Sequence, residues 1–427
     1  MPESPGVVRP GDADLGANKT NMVTSNGGEA GGNTTTTSAT ILGGLNVPHR
    51  CISQNRAKEL VSTATNLLAG GRGILAVDEP PFRMEQRLGA VGVTNTPENR
   101  LAWRETMFKT PELGQYISGV ILHEETLYQE IDGLPIPNFL REKAQIIPGI
   151  KVDGGVLENA GPDGEKSTAG LDSLQTRCEA FYNAGARFTK WRCVLEIKAR
   201  TNGDGTSSYE MPSAWSLNNT AWLLARYAAI SQAAGLVPIV EPEVIPDGTH
   251  GIEICAQATE LALAATFAGL AKHGVLLEGC LLKPNMVTPG AAAPGKEGAS
   301  NSGFKSASAS EVAGLTLRTL SRTVPPALAG VVFLSGGQSE EDASKNLSKM
   351  NSTKTTRHPW TLTFSYGRAM QATALKKWGE SSKPDEAQGI LLARAKSHNA
   401  AALGRFGDDE SKEQSSSESL FVSGYTY

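Results

Sequence analysis

The chain has 427 residues, 39% of them apolar and 20% charged, which is enough to build a large core and rules out a globally disordered chain. Lys and Arg number 40 against 44 Asp and Glu, a formal net charge of −4, so no basic excess points to nucleic acid or an anionic membrane. No stretch approaches about 18 consecutive apolar residues, which argues against a membrane-spanning helix, and the N-terminus lacks the layout of a secretory signal.

Residues 1–50 are rich in Gly, Thr, Asn and Ser and read as a flexible low-complexity extension. A targeting peptide is the alternative; Asp12, Asp14, Glu29 and the scarcity of arginine weaken it. From 51 to 406 the chain is regular. Short apolar runs recur: GILAVDE (73–79), GVILHEE (119–125), PGIKVDG (148–154), ARFTKWR (186–192), LVPIVEPE (236–243), LEGCLLKPN (277–285), GVVFLSGG (330–337) and TLTFSYGR (361–368). They are almost continuously apolar, as strands buried on both faces should be. Between them lie helical patterns such as 219–235 and 252–274, which end in Gly. Eight such alternations predict an α/β fold with a single (β/α)8 barrel. Residues 202–220 and 290–310 are Gly, Ser and Ala rich and read as surface loops. Residues 407–427 form a polar, mobile tail ending in Tyr427.

The five cysteines, Cys51, Cys178, Cys193, Cys255 and Cys280, are scattered, which argues against a disulfide framework or a zinc site. The six histidines offer no HxH or HxxxH pair, so no metal is expected.

In a barrel of this type the chemistry lies at the C-terminal ends of the strands. Here those ends carry Asp78 and Glu79; His123, Glu124 and Glu125; Lys151 and Asp153; Lys190 and Arg192; Glu241 and Glu243; Lys283; Ser335, Gly336 and Gly337; and Ser365, Gly367 and Arg368. Lys283 follows two leucines and precedes a proline. A desolvated lysine in such a place can present a neutral amine and form a Schiff base. A lysine that reaches solvent or pairs with a carboxylate is the structural alternative. Lys190 and Glu241, on the two preceding strands, would flank it, and Glu241 could shuttle protons to a carbinolamine. Ser335-Gly336-Gly337, with Gly367-Arg368 on the next strand, reads as a phosphate cradle. Asp78 could accept a proton from a substrate hydroxyl or serve as a helix cap. Lys151 and Arg192 are candidates for a second anion. Two anion sites around a Schiff-base lysine suit a linear sugar bisphosphate.

These residues, in this order, resemble class I fructose-bisphosphate aldolase. The segments that carry the resemblance include GRGILAVDE, ENR, GVILHEETLYQ, GIKVDGG, KWRCVLEI, VPIVEPEVIPDG, LLEGCLLKPNMVTPG, VVFLSGGQSEEDASKNL and FSYGRAMQATALKKWGE, spread over about residues 55–405. The resemblance implies a metal-independent, cofactor-free enzyme that reversibly cleaves fructose 1,6-bisphosphate to dihydroxyacetone phosphate and glyceraldehyde 3-phosphate. It also implies a homotetramer in the cytoplasm, with a plastid left open. Carried over residue by residue, Lys283 is the Schiff-base lysine, Glu241 the acid/base with Glu243 beside it, and Asp78 the group that works in C–C cleavage. Lys190 contacts substrate and Tyr427 assists proton transfer at the enamine. Ser335, Gly336 and Arg368 match the C1-phosphate residues, with Gly337, Ser365 and Gly367 beside them. Lys151, Arg192 and Arg87 match the C6-phosphate side, and Arg100 a further substrate-region arginine.

One segment departs from the family pattern. Where small hydroxyl and glycine residues usually follow Asp78-Glu79, this chain has Pro80-Pro81-Phe82-Arg83. Two prolines remove hydroxyl and N–H donors. Either Arg83 replaces them as a phosphate anchor, or the preference for a bisphosphate over fructose 1-phosphate is weakened. Two other readings compete: a transaldolase-like carbon transferase, and a catalytically weakened barrel acting as a scaffold or binding protein. A metal-dependent aldolase would need clustered histidines.

Overall fold

The computed structural model describes residues 52–201, 203, 207–210, 212–292, 307–352, 358–381, 383–407 and 416–424. The extension 1–50 and, alone among the predicted site residues, Tyr427 lie outside them. Eight parallel strands close into a barrel in chain order: β1 (Gly73–Val77), β2 (Ile117–Leu122), β3 (Ile147–Lys151), β4 (Phe188–Leu195), β5 (Val237–Val244), β6 (Leu281–Leu282), β7 (Gly330–Phe333) and β8 (Thr361–Tyr366), with β8 pairing back onto β1. The expected (β/α)8 barrel is the fold of this chain.

Around the barrel run α1 (Gln54–Leu68), α2 (Pro81–Gly89), α3 (Pro97–Phe108), α4 (Leu174–Asn183), α5 (Ala214–Ala233), α6 (Ile252–Lys272), α7 (Ala309–Thr323), α8 (Glu340–Ser352), α9 (Arg368–Glu380) and α10 (Pro384–Ala402). Helix starts follow their capping residues. Ser53, Thr96 and Ser213 each accept a backbone N–H of the first turn of α1, α3 and α5, and Ser308 and Glu311 make a reciprocal capping box on α7.

The two-residue period of a strand sorts the apolar residues into two cores. Ile74, Ala76, Ile121, Phe188, Val237, Ile239, Leu281 and Val332 point into the barrel, where Leu60, Ala64 and Leu67 of α1 close its floor. Burying a leucine is worth roughly 2 kcal/mol, so α1 is firmly seated. The alternate residues, among them Leu75, Val120, Ile150, Trp191, Val240 and Phe333, face the surrounding helices. Phe188 fills the lower lumen only because β3 is bare at Gly149, where a Cβ would stand 2.3 Å from the ring.

Three details differ from expectation. The ladder of β6 is only two residues long, because a 3-10 turn at Leu277–Gly279 precedes it and Pro284, without an N–H, ends it. Residues 202–220 are not all loop: Lys198–Thr201 and Ser207–Glu210 form a hairpin, and α5 begins at Ala214, its Ser213 cap hidden in a Ser- and Asn-rich stretch. Finally, α6 is long and apolar enough to cross a membrane by length and composition, although the sequence has no stretch near 18 consecutive apolar residues. In the fold it is a barrel helix whose Ala256, Leu263 and Phe267 are buried.

Candidate active site

The lumen face that is apolar at the floor becomes charged at the mouth without changing period. Two steps of two beyond Ile74 on β1 comes Asp78. Lys190 and Arg192 follow Phe188 on β4, and Glu241 and Glu243 follow Ile239 on β5. Lys283 follows Leu281, and Ser365 lies above Thr363. Strand geometry therefore delivers these polar side chains to one well without loop residues having to place them. Ala76, Asp78, Glu79, Arg192, Glu241, Glu243, Lys283, Leu334, Ser335, Gly336, Ser365, Gly367 and Arg368 line a cleft of about 470 Å³.

At its base Lys283, Glu241, Lys190, Asp78, Asp153 and Lys151 form a continuous chain of ion pairs, with Arg192–Glu243 a pair of its own. Lys283 Nζ is 3.1 Å from Glu241 Oε1, and Glu241 Oε2 is 3.5 Å from Lys190 Nζ. Lys190 Nζ is 2.7 Å from Asp78 Oδ2 and 3.8 Å from Asp153 Oδ2. Lys151 Nζ lies 2.8 Å from Asp153 Oδ1, and Arg192 Nε lies 2.6 Å from Glu243 Oε2. Lys190 is wholly buried, and Asp78, Glu241 and Lys283 nearly so. Charges removed from water in this way need close partners, and each of these has one. Burial would raise the Asp78 carboxyl, but Lys190, Lys283 and Lys151 outweigh it and hold the group at about 2. Asp78 is thus an ionised acceptor throughout the neutral range.

On the β7–β8 side, Gly336 and Gly337 take φ of +56° and +78°, a left-handed turn that side chains rarely adopt. Ser335 lies beside them, and Arg368 opens α9 next to the same cleft. The positive end of a helix and an arginine favour an anion there. The Arg368 guanidinium donates to the carbonyl of Leu420, and Leu420 N–H donates to Gly337 O at 3.2 Å, so the tail residues 416–424 lie along this turn.

The remaining predicted arginines lie further out. Arg87, on α2, pairs with Glu79, as does the buried Arg104 at 3.2 Å. Arg100, on α3, is held by Glu125, with Nε 2.8 Å from Oε2, and is not among the cleft-lining residues. Arg83 occupies the first turn of α2, its guanidinium 5.4 Å from the Phe82 ring, four residues after Glu79 in the chain. Pro80 and Pro81 start this helix directly at the barrel rim.

Sequence reasoning assigned no role to two residues that organise the site. Asp153 joins Lys151, Lys190 and the backbone N–H of Arg192, the last at 3.3 Å. Its position, two residues beyond Lys151 on the lumen face of β3, is the signal that could have found it. Arg104 gave no such signal, because a helical arginine reads as solvent-exposed. Among the described residues no group of three His, Cys, Asp or Glu is arranged to hold a metal ion.

The family model described as fructose-bisphosphate aldolase class-I matches residues 59–427. Fructose-bisphosphate aldolase 1 of Toxoplasma gondii is 49% identical over 378 residues, covering 88% of this chain and 98% of the relative. The cytosolic fructose-bisphosphate aldolase 4 of Arabidopsis thaliana is 48% identical over 380 residues, 89% of this chain and 91% of the relative. A solved Plasmodium falciparum fructose-bisphosphate aldolase, in complex with TRAP and a small-molecule inhibitor, superposes with a TM-score of 0.75 at 48% identity, covering 83% of this chain and 97% of that one.

Proposed function

This chain belongs to the class-I fructose-bisphosphate aldolase family, and from that premise we propose how its own residues carry the reaction. The enzyme reversibly cleaves fructose 1,6-bisphosphate to dihydroxyacetone phosphate and glyceraldehyde 3-phosphate through Schiff-base chemistry. The observation that carries the residue assignment is the chain of contacts from Lys283 through Glu241 and Lys190 to Asp78.

Glu241, 3.1 Å from the Lys283 amine, takes a proton from it and frees the lone pair to attack the C2 carbonyl. The same carboxyl returns a proton to the carbinolamine oxygen, which leaves as water. The resulting iminium withdraws electrons from C3. Asp78 accepts the C4 hydroxyl proton, the C3–C4 bond breaks, its electron pair forms the enamine, and the aldehyde departs. Lys190 orients Asp78 at 2.7 Å and supplies positive charge where the alkoxide develops. Tyr427 protonates the enamine at C3, and water releases the ketone. Glu243 holds Arg192 at 2.6 Å. Ser335, Gly336, Gly337, Ser365, Gly367 and Arg368 bind the C1 phosphate. Lys151, Arg192, Arg87 and Arg83 draw the C6 phosphate, with Arg100 behind them. The enzyme needs no cofactor or metal and works as a homotetramer in the cytoplasm, where the Arabidopsis relatives are named as cytosolic.

Borohydride reduction in the presence of dihydroxyacetone phosphate, followed by peptide mapping, tests the assignment. The expected result is a reduced adduct on Lys283 that EDTA does not diminish and that Lys283→Met abolishes. An adduct on another lysine, or none on folded protein, would overturn it.

A further inference from the structure

We propose that Asn95 is a positioning residue for the C6-phosphate side of the mouth: it carries a relay from Glu125 through Arg100 to the first turn of α2, and Arg100 serves the substrate only through it. The inference rests on the phosphate assignment of Arg83 and Arg87 above and adds a residue which that assignment does not contain.

Helix α2 starts where the chain departs from the family pattern. Pro80 stands at its cap position and Pro81 opens it, and no side chain caps it. A proline offers neither the N–H nor the side-chain oxygen that usually fastens a helix start. Phe82 is 61% exposed, so the outer side of the first turn gains little from packing. Met84 and Leu88 are buried and seat the rest of the helix. Arg83 sits on that first turn, and Arg87 reaches back to the cleft-lining Glu79. The angle at which α2 leaves the rim therefore sets where both guanidiniums stand.

A side chain from outside the helix supplies the fastening. Asn95 Nδ2 donates to Pro81 O at 2.9 Å, and Asn95 Oδ1 accepts Arg100 Nη1 at 3.0 Å. Arg100 Nε donates to Glu125 Oε2 at 2.8 Å, and Nη2 pairs with the other oxygen of the same carboxylate. These bonds hold the Glu125 carboxyl below the usual carboxylate range, so the pair is ionised at neutral pH. Glu125 N–H donates in turn to His123 Nδ1 at 3.2 Å, just past the end of β2. The relay thus ties the end of β2 to the helix that follows β1, its neighbour in the barrel. The loop that carries Asn95 is itself braced: Asn99 Nδ2 donates to Thr94 O at 2.8 Å, and Asn99 N–H to Thr96 Oγ1 at 3.2 Å.

The same contacts decide what Arg100 does. Its side chain is 11% exposed, its Nε and both Nη atoms are engaged, and it does not line the cleft. To reach it a phosphate would have to break a two-pronged arginine–carboxylate pair, which is among the stronger hydrogen-bonded contacts. An amide suits the joint between them, since it accepts at one end and donates at the other. Asn95 passes the position of a charged pair to a neutral carbonyl.

The test uses the full chain with Asn95→Ala, Asn95→Asp, Arg100→Ala and the double variant Asn95→Ala with Arg100→Ala. A reference variant, Arg83→Ala with Arg87→Ala, removes the two guanidiniums. The readout is steady-state kinetics on fructose 1,6-bisphosphate and fructose 1-phosphate, with urea unfolding to show that each variant is folded. The net contribution of one hydrogen bond corresponds to about fivefold. Asn95→Ala is therefore expected to raise the bisphosphate KM about fivefold and to leave kcat and KM for fructose 1-phosphate at the parent values. Asn95→Asp, which keeps the acceptor for Arg100 and loses the donor to Pro81, should match it. The double variant should be no worse than Asn95→Ala alone. A parental bisphosphate KM in either Asn95 variant would overturn the proposal. Equal losses on both substrates would do so too, because they mark a merely structural residue. A double variant in which the two rises multiply would put Arg100 on the phosphate itself. If the reference variant leaves the bisphosphate KM unmoved, the phosphate assignment fails first and the relay with it. If it raises that KM and Asn95→Ala does not, the relay alone fails.

Discussion

Lys190 lies among three carboxylates, from Asp78, Asp153 and Glu241, and is wholly buried. That density of charge explains why the central residues were legible in the sequence: an apolar strand that ends in a charged residue costs stability unless the charges meet, and several strands ended so. The phosphate side was harder to read. A phosphate draws on backbone turns and on long side chains whose reach no pattern fixes, so Arg83, Arg87 and Arg100 could be named but not placed. Arg83 carries its own prediction. If it replaces the missing hydroxyl anchors, Arg83→Ala raises the KM for fructose 1,6-bisphosphate about tenfold, close to 1.4 kcal/mol, and leaves the KM for fructose 1-phosphate unmoved. Steady-state kinetics on the two substrates decide it; an unchanged bisphosphate KM sinks the anchor reading.

Among the elements, the strands were the most legible, since each is a short apolar run closed by a turn. The hairpin at Lys198–Thr201 and Ser207–Glu210 was not, because Gly, Ser and Thr composition suppresses the alternation that marks a strand. The seat of the tail was invisible for another reason. Leu420, Ser423 and Gly424 meet Gly337, Arg368 and Asp247 across long separations in the chain, and no local pattern encodes such contacts. The pairing of β3 with β4 gives a sharp test of packing. Gly149→Ala would drive a methyl to 2.3 Å from the Phe188 ring, in a lumen with no room to yield. A loss of about 3 kcal/mol is expected in urea unfolding. Phe188→Leu in the same background should recover part of it; a Gly149→Ala barrel as stable as the parent would show that the lumen is looser than the ring contact implies.

At the scale of the whole molecule, stability toward acid should depend on a residue far from the chemistry. His398 of α10 is buried between α8, α9 and β8: Nδ1 meets the Ser344 hydroxyl at 2.8 Å, Nε2 the Ala369 carbonyl at 3.1 Å, and the ring lies edge-on to Tyr366 at 4.9 Å. Burial, with Arg394 nearby, pushes the imidazole down to about 3. The unfolded chain binds that proton below about pH 6.5 and the folded one does not, so stability is lost as pH falls from about 6.5 toward 3, by up to about 1.4 kcal/mol per pH unit. Asp78 enters only below about pH 4, where the unfolded chain begins to protonate it. Urea midpoints between pH 6.5 and 4.5 should therefore fall more steeply for the parent than for His398→Gln; identical slopes would refute the assignment. The floor laid by Leu60, Ala64 and Leu67 has a further consequence, one of traffic. A vessel stoppered at the bottom has a single neck, so nothing can pass straight through it. On the way out, the aldehyde half, which no covalent tether holds, must clear the neck before the ketone half is cut loose. In the reverse direction the ketone must be moored before its partner arrives. Both halves therefore share one way in and out, and the covalent tether on the ketone half sets which of them moves first.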